Sequence, residues 1–167
     1  MAYNSLGNNL KRGFLAMPDA LRTIIALNAA VMLAQYFSFF ILGIDLSRYL
    51  GLDTNFVVTI TQPWRILTYM FLHSMGNIFH FIFNMLWLWW MGRPVEERLG
   101  PRSFLTIYLG AGLFGALIDV IVSFASTPTL VIGASGAVFG VMVAFAMLFP
   151  RTPIMLFLLP PIEARYV

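Results

Sequence analysis

The chain has 167 residues, 60% of them hydrophobic and 10% charged, with a mean hydropathy of +0.84 and no cysteine. A soluble domain carries about 25% charged residues, so a water-covered globule is excluded; the lack of cysteine excludes a disulfide framework, cysteine catalysis and a zinc–thiolate site. The net charge is +3 and the pI near 9.6, but the basic residues are scattered at the ends of apolar blocks, which fits membrane orientation and not nucleic acid.

Residues 1–20 form a polar tail that contains Lys11 and Arg12. A first membrane span is predicted from Leu21 to Ile44, with Asn28 and Gln35 as its only strongly polar side chains. It is too long for a signal-peptide core, and no small-x-small cleavage site follows it. A second span is predicted from Asn77 to Met91, led in by apolar residues from Ile66. A third runs from Ser103 to Phe124, and a fourth from Ala134 to Phe149, stopped by Pro150. Each block is of the order of 20 residues, about the thickness of a bilayer in helical form. The stretch from Ile154 to Val167 is interrupted by Pro160-Pro161 and carries Glu163 and Arg165. It is too short to cross alone and reads as the lead-in to a further helix. The expected fold is an all-α, polytopic transmembrane helix bundle: a tail over 1–20 and a membrane domain over 21–167.

Orientation follows from the positive charges. With alternating spans and a cytoplasmic N-terminus, the inner side holds Lys11, Arg12, Arg22, Arg93, Arg98, Arg102, Arg151 and Arg165, and the outer side only Arg48 and Arg65. Positive charge collects on the cytoplasmic side, so this orientation is expected. Asp45 to Met75 is then a long outer loop and Ala125 to Ile132 a short one.

That topology brings three polar residues to one depth. His80 and Asn84 lie in the first turns of the second span, and Ser135 opens the fourth. Residues four apart share a helix face, so His80 and Asn84 point the same way, with Asn84 about 6 Å deeper at about 1.5 Å per residue. Polar residues inside spans are costly and mark function.

Ser135 sits where a loop enters a helix, between Gly133 and Gly136. Glycine there permits a sharp turn and the close approach of another group. A helix N-terminus offers free N–H groups and partial positive charge, suited to the oxyanion formed when a hydroxyl attacks a peptide carbonyl. On position alone, an N-cap is the commoner role for such a serine. Gly136, Gly140 and Ala144 also read as a small-residue face for close helix packing.

Other polar and aromatic residues have plainer readings. Asp119, near the outer end of the third span, is either a catalytic or substrate-contacting carboxylate or an interfacial residue reaching water and headgroups. The second reading is favoured, because ionisable groups are far less costly near the interface. Trp87, Trp89 and Trp90 form an interfacial anchor at the inner end of the second span. Asn28 and Gln35 read as interhelical hydrogen-bonding groups.

Gly133-Ala134-Ser135-Gly136 followed by Gly140 resembles the rhomboid signature GxSGxxxG, and His80 with Asn84 resembles the rhomboid HxxxN. His73 in Phe71-Leu72-His73 matches a histidine often found just before it. Gln62-Pro63-Trp64-Arg65 with Thr68 is similar to the segment leading into that span. Gly92, Glu96 and Gly100 resemble the family's GxxxExxxG, and Pro160, Ala164 and Tyr166 the stretch before its fifth span. The resemblance covers residues 20–167.

It implies a rhomboid-like bundle with four spans present and the fifth and sixth missing. It implies an intramembrane serine endopeptidase of multi-pass type, in a bacterial inner membrane, cleaving transmembrane protein substrates near the outer face. Ser135 would be the nucleophile. His80, Asn84 and the backbone N–H of Ser135 would form the oxyanion hole. Gly133 would keep the pocket open, and Gly136 and Gly140 would allow tight packing. Glu97 and Arg98 would hold the inner loop, and Asp45 to Thr68 would lie partly in the bilayer. No metal or organic cofactor is implied.

One departure matters. The family's general base is a histidine of the sixth span, and the only histidines here are His73 and His80. A serine hydroxyl is a poor nucleophile without a base, so the 167 residues alone are expected to be inactive. The alternative is a non-catalytic rhomboid-like protein that binds transmembrane clients, against which the intact GASG and HxxxN argue. A channel or transporter lacks the expected broken helices or charged pathway.

Overall fold

The computed structural model describes residues 13–154 and 162–166; Lys11, Arg12, Pro160 and the side chain of Tyr166 lie outside what is described. Among the described residues four long helices carry the fold: α1 Asp19–Leu42, α2 Ile78–Leu99, α3 Pro101–Ser123 and α4 Ser135–Leu148. Two of them, α1 and α3, are long and apolar enough to cross a membrane, while α4 is apolar but has 14 residues.

The helix ends have local causes. α1 stops at Gly43, which takes a left-handed conformation at φ 69°. Its N–H and that of Ile44 donate back to the carbonyls of Phe39 and Ser38, closing the last turn. α2 is capped by Asn77, whose side chain accepts the N–H of Phe79 at 3.1 Å. Gly100, at φ 81°, turns the chain from α2 to α3, which begins on Pro101, a residue suited to a first helical position.

α2 runs eight residues beyond the expected Met91, through Pro94 to Leu99. Its inner end is held from outside: the Glu96 carboxylate is buried and accepts the N–H groups of Ala20 at 2.9 Å and Leu21 at 2.7 Å. Glu96 thereby caps the first turn of α1, where free N–H groups and the helix dipole favour a negative charge. The resemblance gives Glu97 and Arg98 the task of holding this region, and the structure gives it to Glu96. Glu97 instead pairs with Arg93 at 2.8 Å on the exposed face.

Gln35 and Asn28 bind across elements, as expected. The Gln35 side chain grips the backbone of His73, accepting its N–H at 2.9 Å and donating to its carbonyl at 3.0 Å. Asn28 donates to the Tyr108 hydroxyl of α3 at 3.5 Å and to the Ile24 carbonyl at 2.8 Å.

The loop between α1 and α2 is built of short helical turns at Ser47–Leu50, Phe56–Thr61 and Arg65–Thr68, then a tighter turn at Tyr69–Phe71. Arg65 is its clasp. Buried, it donates to the Gln62 side chain at 2.6 Å, the Gly51 carbonyl at 2.8 Å and the Arg48 carbonyl at 2.6 Å. Thr68 adds a bond to the Leu50 carbonyl at 2.6 Å.

The all-α expectation needs one amendment. Two-residue ladders join β1 (Leu52–Asp53) to β2 (Leu130–Val131) and β3 (Pro153–Ile154) to β4 (Ile162–Glu163). Backbone groups of loops must find partners where water is scarce, and these ladders supply them. The first pairs Leu52 with Val131 and so fastens the long loop to the segment that precedes Ser135.

Leu21, Leu88, Val95, Phe104, Tyr108 and Val141 are among the buried core. The outside is as apolar as the inside: Leu33 is 71% exposed, Phe40 70% and Phe114 64%. An exposed apolar surface of this extent marks contact with a membrane or a partner.

Candidate active site

The centre of the site is Gly133. Its φ is 129°, a backbone state that L side chains rarely adopt, and its N–H donates to the Tyr69 carbonyl at 2.9 Å. A Cβ placed on Gly133 would stand 2.8 Å from His80 Cε1, 2.9 Å from His80 Nε2 and 3.8 Å from Ser135 Oγ. The imidazole of α2 and the hydroxyl of α4 thus converge on one small space that only glycine leaves open. Any other residue at 133 would both strain the backbone and drive a carbon into the imidazole.

Ser135 is the first residue of α4, behind a helix cap provided by Ala134. No side-chain cap bond is made, so the N-cap role common for serine is not the one taken here. The Ser135 side chain is exposed and looks into a cavity of about 670 Å³ lined also by Tyr69, Gly136, Gly140 and Asp119. As a first-turn residue its backbone N–H has no intrahelical acceptor.

His80 lies half-buried in the first turn of α2. Asn84, one turn deeper and buried, donates one amide hydrogen to the His80 carbonyl at 2.7 Å. Its amide keeps a second hydrogen. His73 is fully buried beside them, its ring 5.4 Å from that of His80 and edge-on to Phe81 at 5.1 Å. Burial, and after it the neighbouring His80, push the His73 imidazole down to about 4, so the ring is neutral at neutral pH.

The two expected packing glycines differ. A Cβ on Gly140 would run into the Cβ of Ala111 on α3, so close helix contact demands glycine there. A Cβ on Gly136 would meet only the Tyr69 hydroxyl, at 3.7 Å, an ordinary contact. Gly136 therefore borders the cavity, and its Cα lies 3.9 Å from where a Cβ on Gly115 of α3 would stand.

Tyr69 escapes a reading of the sequence. Its carbonyl holds Gly133, and its buried hydroxyl donates to the Gly112 carbonyl of α3 at 2.7 Å. Burial, and then the Asp119 charge, push that hydroxyl up to about 12. One residue thus joins the loop before α2, the middle of α3 and the start of α4. The available signal was a tyrosine in an apolar stretch, since a buried phenol must find a partner, together with Gly115, where a Cβ would stand 3.3 Å from its hydroxyl.

Among the described residues no three His, Asp or Glu gather where a metal ion would be held. A helix start that carries a serine hydroxyl, an imidazole aimed into the same space and an open cavity remain. The Rhomboid domain matches residues 60–166, well over half of the chain and all of the site just described. The chain belongs to the rhomboid family.

Its relatives within the rhomboids are spread widely. It is 42% identical over 90 residues to the rhomboid protease GluP of Bacillus subtilis, covering 54% of this chain and 17% of that protein. It is 32% identical over 118 residues to the mitochondrial rhomboid protein 1 of Saccharomyces cerevisiae, covering 69% of this chain and 33% of that one. With the rhomboid protease GlpG of Salmonella choleraesuis it shares 33% over 58 residues, 35% of this chain and 20% of that protein. The matched stretch is thus a third or less of each of these relatives. Membership makes the chain an integral membrane protein of an intramembrane protease family.

Proposed function

We propose that this chain carries the nucleophile half of a rhomboid-type intramembrane serine endopeptidase that cleaves transmembrane protein substrates near the outer membrane face. The observation that carries the reading is the convergence of His80 Nε2 and Ser135 Oγ on Gly133. Ser135 Oγ attacks the scissile carbonyl. The negative charge that develops on the carbonyl oxygen is met by the Ser135 backbone N–H, the His80 ring and the free amide hydrogen of Asn84. Such preorganised donors act most strongly where water is scarce. Gly133 keeps the space for that oxygen open. The chemistry assigned needs no metal or organic cofactor.

The base is the missing part. His73 and His80 are the only histidines, and neither hydrogen-bonds Ser135. We assign the base to a histidine outside these 167 residues, as the resemblance implies, and the chain alone to a form without measurable activity. Loss of general-base assistance costs about 10²–10⁴-fold. The four helices are read as four spans with a cytoplasmic N-terminus, in a bacterial inner membrane, on the bias of positive charge.

Two experiments test this. In a full-length protein, Ser135 should react with a fluorophosphonate probe, and Ser135→Ala should abolish both labelling and cleavage of a transmembrane substrate. Cleavage by the alanine variant at the parent rate would remove Ser135 from the mechanism. Single cysteines at Asn55, Thr127 and Glu97 should be labelled on intact cells by an impermeant reagent at the first two sites only; labelling at Glu97 but not at Thr127 reverses the orientation.

A further inference from the structure

We propose that Asp119 is a specificity-determining residue that favours substrate segments carrying a lysine or arginine within a few residues of the scissile bond. The inference rests on the assignment of Ser135 as nucleophile.

Asp119 lies one turn before the end of α3 at Ser123. Four residues from Gly115, it shares that residue's helix face, and a Cβ on Gly115 would stand 3.3 Å from the Tyr69 hydroxyl. Asp119 and Ser135 line the same cavity. The rest of that wall is apolar or uncharged, with Ile107, Phe114, Ile118 and Phe139 prominent, so Asp119 is its one charged side chain. It is half-buried and, among the described residues, has neither an ion pair nor a hydrogen bond.

A carboxylate without a partner on an apolar wall is costly, and the cost is relieved by an opposite charge. A peptide poised for attack has its scissile carbonyl about 3–3.5 Å from Ser135 Oγ. Its neighbouring side chains, spaced about 3.3 Å apart along an extended backbone, then fall within the cavity that Asp119 borders. A lysine or arginine there meets the carboxylate where the low dielectric strengthens the attraction. A glutamate there meets like charge, which opposes binding.

The test uses full-length protein in liposomes and transmembrane substrates identical but for Lys or Glu at single positions up to three residues from the scissile bond. At the best position the parent should favour Lys over Glu in kcat/KM by about tenfold or more, a tenfold ratio being about 1.4 kcal/mol. Asp119→Glu should keep the preference, Asp119→Asn should bring the ratio close to one, and Asp119→Lys should invert it. A Lys-to-Glu ratio unchanged in Asp119→Asn and Asp119→Lys overturns the proposal, whatever the absolute rates. Ser135→Ala, assayed alongside, reports separately on the nucleophile: if it cleaves at the parent rate the assignment of Ser135 fails, independently of the ratio.

Discussion

The N–H of Gly133 donates to the carbonyl of Tyr69 at 2.9 Å, so the loop that delivers Ser135 hangs from the segment that leads into α2. This bond sets the height of the serine against His80, and it needs Gly133 in a conformation closed to other residues. Gly133→Ala should fold, with helical content kept by circular dichroism, yet cleave at least about 100-fold more slowly in a full-length protein, since a shift of about 1 Å costs that much. Gly136→Ala adds a carbon that meets only the Tyr69 hydroxyl at 3.7 Å and should lose far less. Equal losses at the two positions would show that the His80 contact of Gly133 is not what matters.

Close approach of α3 and α4 predicts a compensating pair. In Gly140→Ala the new methyl collides with Ala111, and overpacking of this kind costs about 1–3 kcal/mol. Removing the opposing methyl with Ala111→Gly should recover most of it. Unfolding of the two single variants and the double variant in detergent gives the coupling directly. Additive effects would mean that the helices contact elsewhere.

The bounds of α1, α3 and α4 were legible to within about two residues, because apolar runs there meet Gly43, Gly100-Pro101 and Pro150. The inner end of α2 was not. Arg93, Pro94 and the acids after them look like the end of a span, and what prolongs the helix is a contact with α1, some 75 residues earlier in the chain. Glu96 and Glu97 are chemically alike in sequence; helix phase puts the first on the buried face with Gly92 and Leu88 and leaves the second outside. The meeting of His80 with Ser135, both of which reach Gly133, was legible from their places at the starts of two helices. Tyr69 was not, nor was the β1 and β2 ladder, because both depend on pairings between distant loops that no local pattern encodes.

Glu96 should matter more to stability than its neighbour. Glu96→Ala leaves two buried N–H groups of α1 without acceptors, and bonds to a charged acceptor are worth about 1.5–3 kcal/mol. Glu96→Gln keeps one acceptor oxygen and should fall between. Glu97→Ala removes only an exposed pair with Arg93, worth about 0.3–0.5 kcal/mol. Thermal unfolding in detergent should rank the parent and Glu97→Ala together, then Glu96→Gln, then Glu96→Ala. An equal effect of Glu97→Ala would place the anchor on the wrong carboxylate.

His73 gives the fold a dependence on pH whose sign follows from its surroundings. Burial and the neighbouring His80 hold its imidazole down to about 4 from 6.5. Between those values the unfolded chain binds a proton that the folded protein refuses, so stability rises with pH across the window. It should decline as pH falls from about 6.5 and level off below about 4, a change of roughly 3 kcal/mol in all. Carboxylates titrate in the lower part of that range, so the diagnostic interval is pH 5 to 6.5. The variant to compare is His73→Phe. Both ring nitrogens of His73 are buried without a hydrogen-bond partner among the described residues, and the ring packs edge-on against Phe81. A phenyl ring keeps the aromatic contact and gives up only a weak interaction with the Phe71 backbone, which acts on the imidazole without reaching hydrogen-bond geometry. His73→Phe should be as stable as the parent at pH 8, and its stability should be flatter than the parent's between pH 6.5 and 5. Parallel slopes for the two proteins in that interval would mean that His73 takes up its proton in the folded state as readily as in the unfolded one.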